Sequence, residues 1–161
     1  MNVRDLMTPE PITVAPETPV AQVIALLVSQ GVNGVPVVDA SGALLGMVTS
    51  GDLIHRLADE RLEPHSSLWR ESFYRSVFSA AHRDAPDPAE GATAAQVMSR
   101  DTVCVAPEDD MVVAARLLIA HGVKSLPVLE AGRLVGMISR MDLLRCLHAH
   151  PDCCNPLKKT D

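Results

Sequence analysis

The chain has 161 residues, enough for one domain or two small ones with a real core. With 47% hydrophobic and 21% charged residues it is a globular protein and not a disordered tail. A net charge of −6 without any basic run argues against nucleic acid as a partner, and no apolar run is long enough to cross a bilayer.

The opening MNVRDLM passes straight into patterned sequence with no secretory apolar segment. Four cysteines, with Cys153 and Cys154 adjacent, make no spaced disulfide framework. Both features predict a cytoplasmic protein.

An internal repeat governs the layout. Met7 aligns with Met98, Pro16 with Pro107, Gly31 with Gly122 and Pro36 with Pro127; after one deletion in a turn, Gly46 aligns with Gly136 and Asp52 with Asp142. The predicted domains are repeat one at 1–62, a helical linker at 63–92, repeat two at 93–150 and a tail at 151–161.

Each repeat opens on a predicted short strand, Ile12-Thr13-Val14 or Val103-Cys104-Val105. A helix follows, with Thr18 as N-cap and Pro19 at its first position in repeat one, and Asp109 as N-cap in repeat two. Val20, Val23, Ile24 and Leu27, matched by Met111, Ala114, Ala115 and Leu118, have the spacing of one apolar helix face. Gly31 and Gly122 stop the two helices. Buried strands Val35–Val38 and Leu126–Leu129 come next, with tight turns at Ala40-Ser41-Gly42 and Ala131-Gly132 and then return strands. Pro36 and Pro127 cannot donate to a ladder, which predicts an edge or a bulge for their strands. The order is β-α-β-β-α, twice.

The return strands run into the two most informative stretches, Gly46 to Asp52 (GMVTSGD) and Gly136 to Asp142 (GMISRMD). Each breaks from strand into helix at Thr49 or Ser139, with an aspartate three positions on. Leu53, Ile54 and Leu57, and Leu143, Leu144 and Leu147, read as the amphipathic helices that follow. A strand–helix junction leaves unpaired N–H groups and a positive dipole end, which suits an anionic or hydroxyl-rich ligand. An ionised aspartate there matches the two hydroxyls of a ribose. The same residues also fit a helix-capping box that needs no ligand.

The linker carries all four aromatics, Trp69, Phe73, Tyr74 and Phe78, at helical spacing. An edge-covering core helix, a dimer contact and a lid over a ligand are the three readings of it. Cys146, His148, His150, Cys153 and Cys154 are metal-ligand types in close order, but their spacing matches no standard finger. A frayed tail with incidental thiols is the plainer reading. His55 and His121 sit at helix ends, and no nucleophile–base–orienter set emerges from spacing.

Two such halves resemble the cystathionine-β-synthase (CBS) domain pair, or Bateman module. The resemblance rests on Asp5-Leu6-Met7-Thr8 and Gln96-Val97-Met98-Ser99, on the runs from Gly31 to Val38 and from Gly122 to Leu129, and on the two junctions. It implies an α+β, sandwich-like fold with the repeats related by a pseudo-twofold axis, and a non-enzymatic regulatory function. It also implies composite clefts for AMP, ADP, ATP or S-adenosylmethionine. Carried over residue by residue, one cleft takes Thr49, Ser50, Gly51 and Asp52 with Val103, Lys124 and Ser125. The other takes Ser139, Arg140, Met141 and Asp142 with Thr8, Ile12, Val32 and Asn33. The aspartates would hold ribose, Thr49 and Ser139 ribose or phosphate, and Val103 and Ile12 the adenine. Cys104 departs from the threonine that the first strand often carries, kept here at Thr13. Lys124, where repeat one has Asn33, is expected to favour phosphorylated ligands in the first cleft, with Arg140 as a competing source of charge in the second. The resemblance further implies a homodimer and a regulated partner protein, with no metal required. The rival expectations are an interaction module with empty clefts, and a metal- or redox-responsive module using the tail.

Overall fold

In the computed structural model the described residues are 1–58 and 92–150, with the side chains of 55–58 excepted. The aromatic linker residues, and Cys153 and Cys154, lie outside them.

Two compact units divide the chain, one formed by Met1–Pro11 with the segment from Thr102 onward, the other by Ile12–Asp101. These units do not coincide with the repeats as they run along the sequence. The leading segment of each repeat is built into the unit that holds the other repeat's body.

The unit of Ile12–Asp101 holds helix α2 (Val20–Gln30), strands β2 (Gly34–Val38) and β3 (Leu44–Thr49), helix α3 (Ser50–Ala58) and the short helix α4 (Ala94–Val97). The other unit holds α1 (Val3–Leu6) and β1 (Thr8–Pro9), then α5 (Met111–Ala120), β4 (Ser125–Glu130), β5 (Arg133–Ser139) and α6 (Arg140–Ala149). β2 pairs antiparallel with β3, and β5 lies between β1 and β4.

The helix faces follow the apolar spacing. Val20, Val23 and Leu27 are buried on α2, and Met111, Ala114 and Leu118 on α5. Each set joins its own core, with Val35, Val37 and Val48 in one unit and Leu126, Val128 and Ile138 in the other. Gly31 ends α2 and Gly122 follows α5, with φ of 63° and 66°, a left-handed conformation that costs glycine little.

Three local expectations are corrected. The first strand of each repeat is reduced to one parallel bridge, Val14 to Val37 and Val105 to Val128. α2 starts at Val20 with Pro19 in the cap position, and Asp110, not Asp109, caps α5 by accepting from Val112 N at 2.8 Å. Residues 92–94 of the same chain bond the backbone there: Val20 N donates to Ala92 O, and Ala94 N to Thr18 O, each at 2.8 Å. The junction helices are also less buried than their leucines suggest. Leu53, Leu143 and Cys146 face the cores, while Ile54, Leu144 and Leu147 are exposed.

The prolines sit where a missing N–H costs no ladder bond. Pro36 and Pro127 turn their backbone away from the return strand, their carbonyls accepting from Val14 N and Val105 N. A shift of register follows each, at Val37/Val38 and Val128/Leu129. The edge-or-bulge expectation for these strands holds.

Candidate functional site

The site residues are positioned by the far side of the return strands. Met47 exchanges two backbone hydrogen bonds with Ser99, at 3.0 and 2.9 Å, and β1 runs beside β5 with Thr8 opposite Met137. Close approach of the leading segments explains the glycine that opens each motif. A Cβ on Gly46 would lie 2.5 Å from Ser99 O, and one on Gly136 would lie 2.5 Å from Met7 Sδ. Only glycine admits this packing without a shift.

Each return strand then delivers its hydroxyl residue to a helix start. Asp52 Oδ2 accepts from Thr49 N at 2.9 Å and from Thr49 Oγ1 at 2.6 Å, and Thr49 Oγ1 accepts from Asp52 N at 3.1 Å. Asp142 Oδ2 accepts from Ser139 N at 2.8 Å and Ser139 Oγ at 2.6 Å, with Asp142 N returning a bond to Ser139 Oγ at 3.3 Å. Both junctions are therefore capping boxes. Capping engages only one oxygen of each carboxylate, so it leaves the ligand reading open.

The second oxygens have different partners. Asp52 Oδ1 accepts from Ser99 Oγ at 3.1 Å. Asp142 Oδ1 accepts from Arg145 Nη1 at 3.0 Å, one turn along α6. Ser99 and Arg145 are the residues that sequence reading missed. The repeat offset marks Ser99, since it is the counterpart of Thr8. Arg145 carries no such mark: its counterpart is His55, and only the helix spacing from Asp142 points to it.

The backbone at each helix start is partly spent. Ser50 N donates to Asn33 O at 2.9 Å, and Arg140 N to Lys124 O at 3.1 Å. Within their own units, Asn33 thus lies against the Thr49–Asp52 junction, and Lys124 and Ser125 against the Ser139–Asp142 junction, Ser125 pairing with Ser139. Arg140 reaches back to the end of α5, donating to Val123 O at 3.0 Å and Leu118 O at 3.4 Å. A cation bound to helix-end carbonyls is well placed against the dipole. Ile12, Val32 and Met141 are exposed apolar side chains, the kind of surface against which a flat base can lie.

Burial pushes the Cys104 thiol up from its ordinary range, which keeps it protonated at neutral pH. Cys146 is buried with its Sγ 3.2 Å from Met1 Sδ, while His148 and His150 are exposed. Among the described residues no three His, Cys, Asp or Glu side chains group as a metal site, and no helix is long and apolar enough to cross a membrane.

Residues 3–59 and 94–149 match the model of the CBS domain. The chain is a pair of CBS domains. A CBS domain-containing protein of Dictyostelium discoideum is 31% identical over 147 residues, covering 90% of each chain. Among solved structures, the Arabidopsis thaliana protein CBSX2 in complex with AMP has a TM-score of 0.70 at 26% identity, covering 93% of this CBS pair and 98% of CBSX2. The protein AcuB from Vibrio cholerae gives 0.70 at 25% identity, covering 97% and 98%. Some curated relatives are much longer: the pair spans 42% of one and 23% of another. CBS pairs are regulatory modules and not catalytic folds.

Proposed function

We propose that this CBS pair binds adenosine-containing ligands at its two strand–helix junctions and passes the bound state to a partner protein in the cytoplasm. AMP, ADP, ATP and S-adenosylmethionine are the candidate ligands. The observation that carries the reading is the repeated junction. In each repeat an aspartate is fixed by its capping box through Oδ2, while Oδ1 is held by a replaceable side-chain donor, Ser99 Oγ or Arg145 Nη1. A ribose diol offers the same kind of donor. Similarity to CBSX2, solved with AMP, supports the ligand class.

In this proposal Asp52 and Asp142 take the ribose of separate ligands. Thr49, Ser50, Gly51, Val103, Lys124 and Ser125 are assigned to the ligand on Asp52, with Lys124 toward phosphate. Ser139, Arg140, Met141, Thr8, Ile12, Val32 and Asn33 are assigned to the ligand on Asp142, with the Arg140 guanidinium bonded to Leu118 O and Val123 O. Ligand acts by population shift, favouring one arrangement of the module over another.

The second reading is an interaction module without nucleotide. It is favoured by the same carboxylates, since both oxygens of each already have partners within the protein. Thermal denaturation with the four ligands at millimolar levels separates the two. A ligand bound only by the native state adds about 2.7 kcal/mol at a hundredfold excess over Kd. A rise in Tm that Asp52→Ala and Asp142→Ala each reduce is the expected result; an unmoved Tm with all four rejects the sensor reading.

A further inference from the structure

Among the described residues the same aspartate has different partners at the two junctions: Asp52 Oδ1 accepts from a neutral hydroxyl, Ser99 Oγ, whereas Asp142 Oδ1 accepts from the guanidinium of Arg145. The Asp142 side chain is 12% exposed and held at Oδ2 by Ser139, so it has little freedom. The Arg145 side chain is 73% exposed and tethered by a single hydrogen bond. Such an exposed pair at i, i+3 is weak and readily exchanged. Both residues also line a depression of about 310 Å³ with Asp5, Leu6, Cys146 and His150. Arg145 therefore opens onto a concave surface beside the junction. Arg140, the other cation close to this junction in sequence, is committed to Leu118 O and Val123 O.

We infer that Arg145 is the specificity-determining residue of the Asp142 site, reading an anionic group on a ligand whose diol is taken by Asp142. The inference rests on the nucleotide-binding reading. On binding, Arg145 leaves Oδ1 to the ribose hydroxyls and turns its fork to a phosphate oxygen, so the ligand satisfies both members of the ion pair. Guanidinium suits this role because its planar donors match a phosphate and its charge is fixed. A ligand with diol but no anion must either share Oδ1 with Arg145 or release the guanidinium without a partner. The site thus selects a nucleoside phosphate over a nucleoside, by about five- to tenfold for a partly solvated charge-assisted contact.

The test is calorimetry with AMP and with adenosine on Asp52→Ala, which leaves the Asp142 site to be read alone. AMP should bind about five- to tenfold tighter than adenosine. Adding Arg145→Ala should bring the ratio close to one without weakening adenosine, and Arg145→Lys should restore part of it. Because Asp52 also caps α3, the same comparison is run with Asp52 intact, where one of two sites should lose its preference and the other keep it. Equal weakening of both ligands by Arg145→Ala, or an unchanged ratio, overturns the role of Arg145 while leaving nucleotide binding in place. Silence of the wild-type chain toward both ligands rejects the binding reading itself, and the inference with it.

Discussion

Ser99 Oγ donates to Asp52 Oδ1 at 3.1 Å, joining residues 47 positions apart in the chain. The contact ties the leading segment of repeat two to the junction of repeat one. It also means that Asp52 has two structural duties, capping α3 through Oδ2 and holding Ser99 through Oδ1. Asp52→Ala should therefore cost about 1–2 kcal/mol in the absence of any ligand, mostly from the lost cap. Ser99→Ala should cost less than about 1 kcal/mol, as expected for one neutral donor near the surface. Chemical denaturation of the two variants without nucleotide checks the ordering.

The opening glycines should differ in their tolerance of a methyl group. A Cβ at Gly46 meets a backbone oxygen, Ser99 O, at 2.5 Å, which cannot retreat without breaking the bridge to Met47. At Gly136 the 2.5 Å contact is with Met7 Sδ, the far part of a flexible side chain, and Thr8 O lies further off at 3.1 Å. Gly46→Ala should destabilise by about 2–3 kcal/mol and Gly136→Ala by about 1 kcal/mol. Equal losses in thermal denaturation would show that the Met7 thioether does not give way.

Stability should fall on the acid side as surface carboxylates protonate. Hydrogen bonds from the Ser41 hydroxyl, then from the backbone of Ala43 and Ser41, hold Asp39 below the ordinary carboxylate range. Arg4 does the same to Glu108 through a 2.7 Å contact, and Val112 N to Asp110. A group depressed in the folded state contributes stability above its unfolded pKa and loses it as pH falls through the folded value. Melting temperature should thus decline as pH drops below the usual carboxylate range. Asp39→Asn, which keeps an acceptor but cannot titrate, should flatten that limb; an unchanged slope would remove Asp39 from the account.

Lys124→Ala should weaken AMP at the site that Asp52→Ala removes, by about tenfold, and leave the Asp142 site alone. Two-site calorimetry of the single variants and of the double variant reads this directly. Weakening of both sites, or of neither, would show that the phosphate of the first ligand is held elsewhere.

A homodimer is expected, and the equivalent helix positions Val28 and Ile119 are natural contacts. The two residues are 78% and 77% exposed, high for large apolar residues repeated on α2 and α5. Sedimentation at micromolar concentration should give a dimer that Ile119→Asp or Val28→Asp dissociates. A dimer that survives both but not Trp69→Ala would move the contact to the linker.

The sequence by itself determined the repeat, the helix faces and the two junctions, because periodicity and local chemistry encode them. Val20, Val23 and Leu27 recur at helical spacing, Gly31 and Gly122 stop helices in the only conformation that favours glycine there, and Thr49-x-x-Asp52 caps a helix wherever it is placed. Pro36 and Pro127 announced their non-bonded backbone in the same way. Tertiary structure alone decided how the compact units are cut, with β1 placed on β5 and Ser99 on Met47. That pairing depends on the room left by the absent side chains of Gly46 and Gly136, and room between distant segments has no period to read. It also decided what faces Asp52. Ser99 comes from 47 positions away and no local spacing announces it, whereas Arg145, one turn beyond Asp142, is within reach of helix spacing alone.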